Sequence, residues 1–201
     1  MKSTTRSFLA ITALCAGTAY ALPPPKAQSY TATYKQVMKE KEDGEEKTIT
    51  EKMTISVSKD RSRWQRERDL FTTITDKTAD TVTTYGGALP PQTAVRAPSR
   101  PAAGWEFGYG NIASASVPPK EGAKETIAGK SCTVLEFDSE QFGKPKLCVT
   151  DEGVVARFFL DDPDDDSVTT FEAETITMGE PPADTFAVPK GYNVESPNKK
   201  M

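Results

Sequence analysis

Lys130-Ser131-Cys132-Thr133-Val134-Leu135-Glu136-Phe137, followed by the polar segment Asp138 to Lys144 and then by Pro145-Lys146-Leu147-Cys148-Val149, is the stretch on which the fold turns. Two runs rich in β-branched and apolar residues flank a glycine-containing polar segment, the pattern of two strands folded back on each other about residue 140. That fold-back sets Cys132 opposite Cys148. A disulfide is the simplest reading of an even cysteine pair in an exported chain, and closing a loop of this size contributes about 3 kcal/mol on the chain-entropy picture. Two free thiols or a metal pair are the alternatives. The metal pair lacks companions, because the chain has no histidine and its remaining cysteine, Cys15, lies near the start.

The same strand signature recurs on both sides of this hairpin. Tyr30, Ala32 and Tyr34 alternate with Thr31, Thr33 and Lys35, and Met53, Ile55 and Val57 alternate with Thr54, Ser56 and Ser58. Further runs are Arg61 to Arg68 around Trp64, Leu70 to Thr75, Thr81 to Tyr85, Val154 to Leu160 and Val168 to Met178. Their threonine content suits half-exposed antiparallel sheet. Thr150-Asp151-Glu152-Gly153 reads as a tight hairpin turn with Gly153 at positive φ. Consecutive strands joined by short turns predict a mainly β antiparallel meander with few or no helices.

Residues 86–122 break the pattern, with 12 of 37 positions glycine or proline. A connection this long reads as a functional loop or lid, or as disorder. At its centre stands Trp105-Glu106-Phe107-Gly108-Tyr109. These aromatics either plug one side of the core or, with Trp64, line a binding cavity of the kind that aromatic side chains favour.

The N-terminus reads as an export signal over residues 1–21. Lys2 and Arg6 precede the apolar run Phe8 to Ala16, and Ala19-Tyr20-Ala21 is a small-x-small cleavage site. The run is shorter than the roughly 20 residues of a membrane span. An uncleaved anchor and lipidation at Cys15 are the alternatives, the latter opposed by Leu14 where lipoprotein signals carry small residues. Cleavage leaves an extended, proline-rich tail at 22–28, one β-rich domain at 29–193 and a C-terminal tail at 194–201. The signal removes two basic residues, leaving 23 basic against 29 acidic ones, a net charge of −6. Dispersed negative charge speaks against nucleic acid and against docking to anionic lipid heads. Export places the protein in the periplasm or outside the cell.

Candidate chemistry is sparse. The absence of histidine removes the commonest general base and the Ser-His and Cys-His nucleophile pairs. Ala128-Gly129-Lys130-Ser131 ends like a phosphate-binding loop, yet Lys124 stands where the first glycine belongs and a strand follows, so it reads as a turn. Asp162, Asp164 and Asp166 match the alternating donors of a calcium loop until Ser167 replaces the turning glycine and Ala173 the bidentate glutamate. A solvated hairpin turn is the plainer reading, with a weak calcium site or a carboxylate acid/base pair as alternatives. The cluster Lys59 to Arg68 interleaves acids with its bases and reads as a polar strand face. No catalytic residue, metal or cofactor is expected, and the protein is read as a non-enzyme.

The order of elements resembles the periplasmic carrier fold of LolA, LolB and their relatives. The resembling parts are Arg63 to Glu67, Ile74-Thr75-Asp76, Ile127 to Cys132 with Lys146 to Gly153, and the ending Ala183-Asp184-Thr185-Phe186-Ala187-Val188-Pro189-Lys190-Gly191-Tyr192. The resemblance implies an unclosed half-barrel around a hydrophobic concavity. It also implies a cell-envelope carrier for an apolar ligand such as an acyl chain or a lipoprotein, but no family motif matches residue by residue, so the candidate cavity residues Trp64, Trp105, Phe107 and Tyr109 rest on their aromatic character alone. The alternative is a structural or protein-interaction module of the envelope with no small ligand. Those carriers place helices across the mouth of the half-barrel, and residues 86–122 show no helical period.

Overall fold

The computed structural model describes residues 29–42, 45–99, 119–138, 144–162 and 167–196. The strands are β1 (Tyr30–Glu42), β2 (Glu45–Val57), β3 (Arg61–Arg66), β4 (Thr72–Asp76), β5 (Thr81–Tyr85), β6 (Thr93–Pro98), β7 (Lys120–Ile127), β8 (Lys130–Glu136), β9 (Lys146–Thr150), β10 (Val155–Asp162), β11 (Ser167–Met178) and β12 (Asn193–Glu195). They form one unclosed sheet in the order β12-β6-β5-β4-β3-β2-β1-β11-β10-β9-β8-β7. A single 3₁₀ turn at Ala183–Phe186 is the one helical element among the described residues.

The chain therefore runs as two meanders rather than one. From β1 it steps outward strand by strand to β6, and after residue 119 it re-enters at β7 on the opposite end of the sheet and steps back to β11. The two halves are joined by the antiparallel β1–β11 ladder, from Tyr30 against Met178 to Lys39 against Val168. Strand β6 and the first residues of β7 lie inside the segment read above as a loop or lid. β12 takes in Val194 and Glu195, assigned above to the tail, and among the described residues it is the only strand paired in parallel, against β6.

Local chemistry explains the hairpins. Ala128 and Gly129 both have positive φ, 49° and 73°, between the closing pair Ile127 and Lys130. Two left-handed residues are what the twist of a two-residue hairpin loop demands, so Ala128-Gly129-Lys130-Ser131 is the turn its sequence suggests. At the next hairpin Gly153 has φ 83°, its amide donates to the Thr150 carbonyl at 2.9 Å, and the Val154 amide donates to Thr150 Oγ1 at 3.1 Å. β10 and β11 are paired as far as Asp162 opposite Ser167. Asp164 and Asp166 lie outside the described residues, as do the signal segment 1–21 and the tail 22–28.

The alternating apolar residues of β1 and β2 face the main core. Tyr30, Ala32, Tyr34, Met53, Ile55 and Val57 are all buried there with Cys132, Cys148 and Val154. The Tyr34 hydroxyl donates to the Val155 carbonyl at 2.9 Å, so the tyrosine's polar end is satisfied inside the core. Cys132 and Cys148 are disulfide-bonded with Cα atoms 5.4 Å apart. Their register differs from the one read from the sequence: Cys132 stands opposite Thr150, and Cys148 opposite Val134. The bond spans a diagonal of the ladder, which strand twist shortens.

The sheet also rolls up at its β7 end. Arg157 on β10 donates to Glu172 at 2.7 Å and to Glu125 at 2.5 Å, although Glu125 lies on β7, three strand spacings away. Three spacings span about 14 Å in a flat sheet. Burial works against the Arg157 charge, but Glu172 and Glu125 outweigh it and raise its pKa.

Candidate apolar binding trough

Strand pleating sends Met53 of β2, Trp64 of β3 and Thr73 of β4 to one face of the sheet. The ladders carry that face on, with Ile55 opposite Trp64 and Trp64 opposite Thr73. On the far side of β1, Phe158 and Leu160 of β10 stand opposite Phe171 and Thr169 of β11 on the same face. These residues line a single open trough of 460 Å³. In a flat sheet β4 and β10 would be about 24 Å apart at ~4.8 Å per strand, so a shared cavity requires the sheet to be concave here. This is the physical content of the half-barrel.

Among the described residues, the trough is apolar on both walls and incompletely covered. Trp64 and Phe171 are half-buried, as is Leu160, while Met53 is fully buried in the floor. Trp64 meets Phe71 edge-on at 5.5 Å between ring centroids, and Phe158 meets Phe171 at 6.0 Å. Behind Phe158 lies a second cluster of Phe137, Leu147 and Val155, which backs the β10 wall.

A charged pair stands beside the Trp64 wall. The Arg66 guanidinium lies over both the Trp64 and Phe71 rings, 5.9 and 5.1 Å from their centroids, and pairs with Asp69 at 2.6 Å. Burial disfavours the ionised Asp69 carboxyl, but the Phe71 amide and Arg66 outweigh it and hold its pKa below the usual carboxylate value. Stacking by the arginine and anchoring by the carboxylate together fix the two rings that form this wall.

Of the cavity residues named from the sequence, Trp64 lines the trough, and Trp105, Phe107 and Tyr109 lie outside the described residues. Phe158, Leu160 and Phe171 were not named, although a signal existed. Folding Val154 to Leu160 against Val168 to Met178 about the acidic turn sets Phe158 opposite Phe171. What alternation could not reveal is which face the sheet leaves open. Among the described residues no cluster of His, Cys, Asp and Glu is arranged to hold a metal ion.

The opposite face of β3–β6 is closed by the C-terminal segment. Phe186 is buried with Ile74, Tyr85 and Ala94, and Val188 and Tyr192 pack against them. Tyr85 and Tyr192 meet edge-on at 5.3 Å. The Asn193 amide then donates to the Gln92 carbonyl at 2.8 Å and leads into β12. The ending Phe186 to Tyr192 is thus a cover for the back of the sheet.

The fold and trough define an unclosed antiparallel β half-barrel with an open apolar concavity. Among solved structures, the chain is similar to an uncharacterized conserved protein from Thermus thermophilus, at TM-score 0.55 and 11% identity over 85% of this chain and 91% of that one. It is similar also to a chain of the MucA/MucB complex of Pseudomonas aeruginosa, at TM-score 0.52 and 12% identity, covering 86% of this chain and 59% of that one. A LolA superfamily protein from Nitrosomonas europaea is a looser match, at TM-score 0.42 and 11% identity over 81% of this chain and 91% of that one. The fold comparison rests on the first two matches. In sequence, no protein-family model and no curated protein matches the chain.

Proposed function

We propose that this protein is an extracytoplasmic binding or carrier protein of the cell envelope, periplasmic or secreted, which holds an apolar ligand such as an acyl chain in the trough. The supporting observation is the trough itself: 460 Å³ of space walled by Trp64, Phe158, Leu160 and Phe171, within the range of about 300–1,000 Å³ usual for ligand pockets. Exposed contiguous apolar surface of this kind marks a binding site in a soluble protein. The buried disulfide fits an oxidising compartment. Function by binding rather than catalysis is part of the proposal, as is the absence of a cofactor, of nucleic-acid binding and of a stable membrane anchor.

A second reading has its own support. The MucA/MucB complex, one of the similar structures, is an assembly of two proteins, and an apolar concave face equally suits a partner's side chains. Native mass spectrometry of the protein purified from its own host separates the two. A co-purifying lipid or other small apolar mass supports the carrier reading. Ligand-free protein that co-purifies stoichiometrically with an envelope protein overturns it in favour of the interaction module.

A further inference from the structure

Three of the arginines among the described residues are paired with carboxylates: Arg66 with Asp69, Arg68 with Glu51, and Arg157 with Glu125 and Glu172. The other three, Arg61, Arg63 and Arg96, have no such partner among the described residues, and the ladders put all of them on one face. Arg63 stands opposite Ile74, Ile74 opposite Thr83 and Thr83 opposite Arg96, a single row across four strands. Arg61 lies in the next row, opposite Asp76. This is the back of the sheet, away from the trough.

The side chains there have uncharged partners. Arg61 lies over the Phe186 ring, 5.3 Å from its centroid. Arg96 Nε donates to Thr83 Oγ1 at 3.1 Å, and Arg63 Nη2 to Gln65 Oε1 at 2.7 Å, while the buried Nε of Arg63 has no acceptor. Asp76 spends Oδ1 on the amides of Thr78 and Ala79, at 3.0 and 2.9 Å, rather than on Arg61. Arg61 and Arg96 share a cavity of 260 Å³ with Asp76 and with Thr81 and Thr83, and its apolar wall includes Ile74, Phe186 and Val188.

We propose that this cavity binds a small monocarboxylate with an apolar body, with Arg61 and Arg96 as its oxyanion ligands. Arg61 is half-buried and Arg96 exposed, neither forms an ion pair among the described residues, and the planar guanidinium fork matches a carboxylate. Two arginines and one aspartate leave a local charge of +1, which one negative charge balances and a phosphate dianion exceeds. Ile74, Phe186 and Val188 supply the apolar wall that takes the body of the acid.

Benzoate is the probe, titrated into the mature protein while the arginine Nε–H resonances are followed by NMR. The expected result is a saturable one-to-one shift of the Arg61 and Arg96 signals, weakened about tenfold by Arg96→Gln, the loss of one charge-assisted contact, and unchanged by Arg68→Gln. Arg96 is an exposed side chain, so its variant is expected to keep the parent amide spectrum, and Arg61→Gln provides an independent second variant. Shifts that chloride or inorganic phosphate reproduce at equal concentration, shifts that neither variant weakens, or the lack of saturation would overturn the proposal. The trough lies on the other face, so failure here leaves the carrier reading untouched.

Discussion

Strands β3 and β4 present two faces that the molecule treats in opposite ways. Toward the trough they offer Trp64 and Thr73, beside Phe71, an aromatic surface left half-exposed. Away from it they offer Arg61, Arg63 and Ile74, a mixed face that receives a cover of Phe186, Val188 and Tyr192. A half-solvated antiparallel sheet ordinarily buries its apolar face and wets its polar one. Among the described residues, the closing segment is spent on the arginine-bearing face while aromatic surface stays open. The difference is what points to a ligand on the concave side.

The largest expected effect tests the cover. Phe186→Ala removes the ring that fills the space between Ile74, Tyr85 and Ala94 and is expected to cost about 4 kcal/mol in urea unfolding, in the range for buried phenylalanine. A cost under about 1 kcal/mol would mean that the back of the sheet needs no cover, and the contrast between the faces would lose its meaning. Next, Cys132→Ser with Cys148→Ser is expected to lower stability by about 3 kcal/mol without lowering trough affinity in protein that remains folded. The disulfide fastens β8 to β9, whereas the trough walls come from β2–β4 and β10–β11.

Trp64→Ala sharpens the comparison from the other side. Because the ring is only half-buried, its removal is expected to cost about 1 kcal/mol of stability, below the ~1.5–3 kcal/mol of full burial, while abolishing acyl-chain binding. A large stability loss with binding intact would make Trp64 an ordinary core residue. The smallest effect concerns Asp69 beside the Trp64 wall. Its folded pKa is lowered, so its contribution is fully present above the unfolded value of about 3.9 and is lost as pH falls through the lower folded value. Comparing acid unfolding of the parent and Asp69→Asn should therefore show a difference that is constant at neutral pH and shrinks only below about pH 4. A difference that is already shrinking at pH 6 would contradict the Arg66–Asp69 anchor.

The strands themselves were legible because alternation is local. Tyr30, Ala32 and Tyr34 against Thr31 and Thr33 need no distant information, and neither does the Ala128-Gly129 turn. What escaped was set by distant pairing. β6, Thr93 to Pro98, lies among prolines that mask its short apolar run, and only its ladder to β5 makes it a strand. β12 exists because Phe186 and Tyr192 seat the chain beside β6. The break between the two meanders also left no local mark, since nothing near Pro119 says that β7 belongs at the far end of the sheet. For the site, Trp64 was visible as a lone tryptophan on a polar strand. Phe158, Leu160 and Phe171 required knowing the direction of curvature, which belongs to the whole sheet.

The central claim is that the open aromatic face holds an apolar chain, and contact-dependent quenching of Trp64 tests it most directly. In a Trp105→Phe background Trp64 is the only tryptophan, and palmitate carrying bromine on its alkyl chain is titrated against unmodified palmitate. The account predicts saturable quenching by the brominated acid at one equivalent, no quenching by the unmodified one, and loss of affinity in Phe171→Asp. Trp64 emission that brominated palmitate leaves unchanged would contradict it.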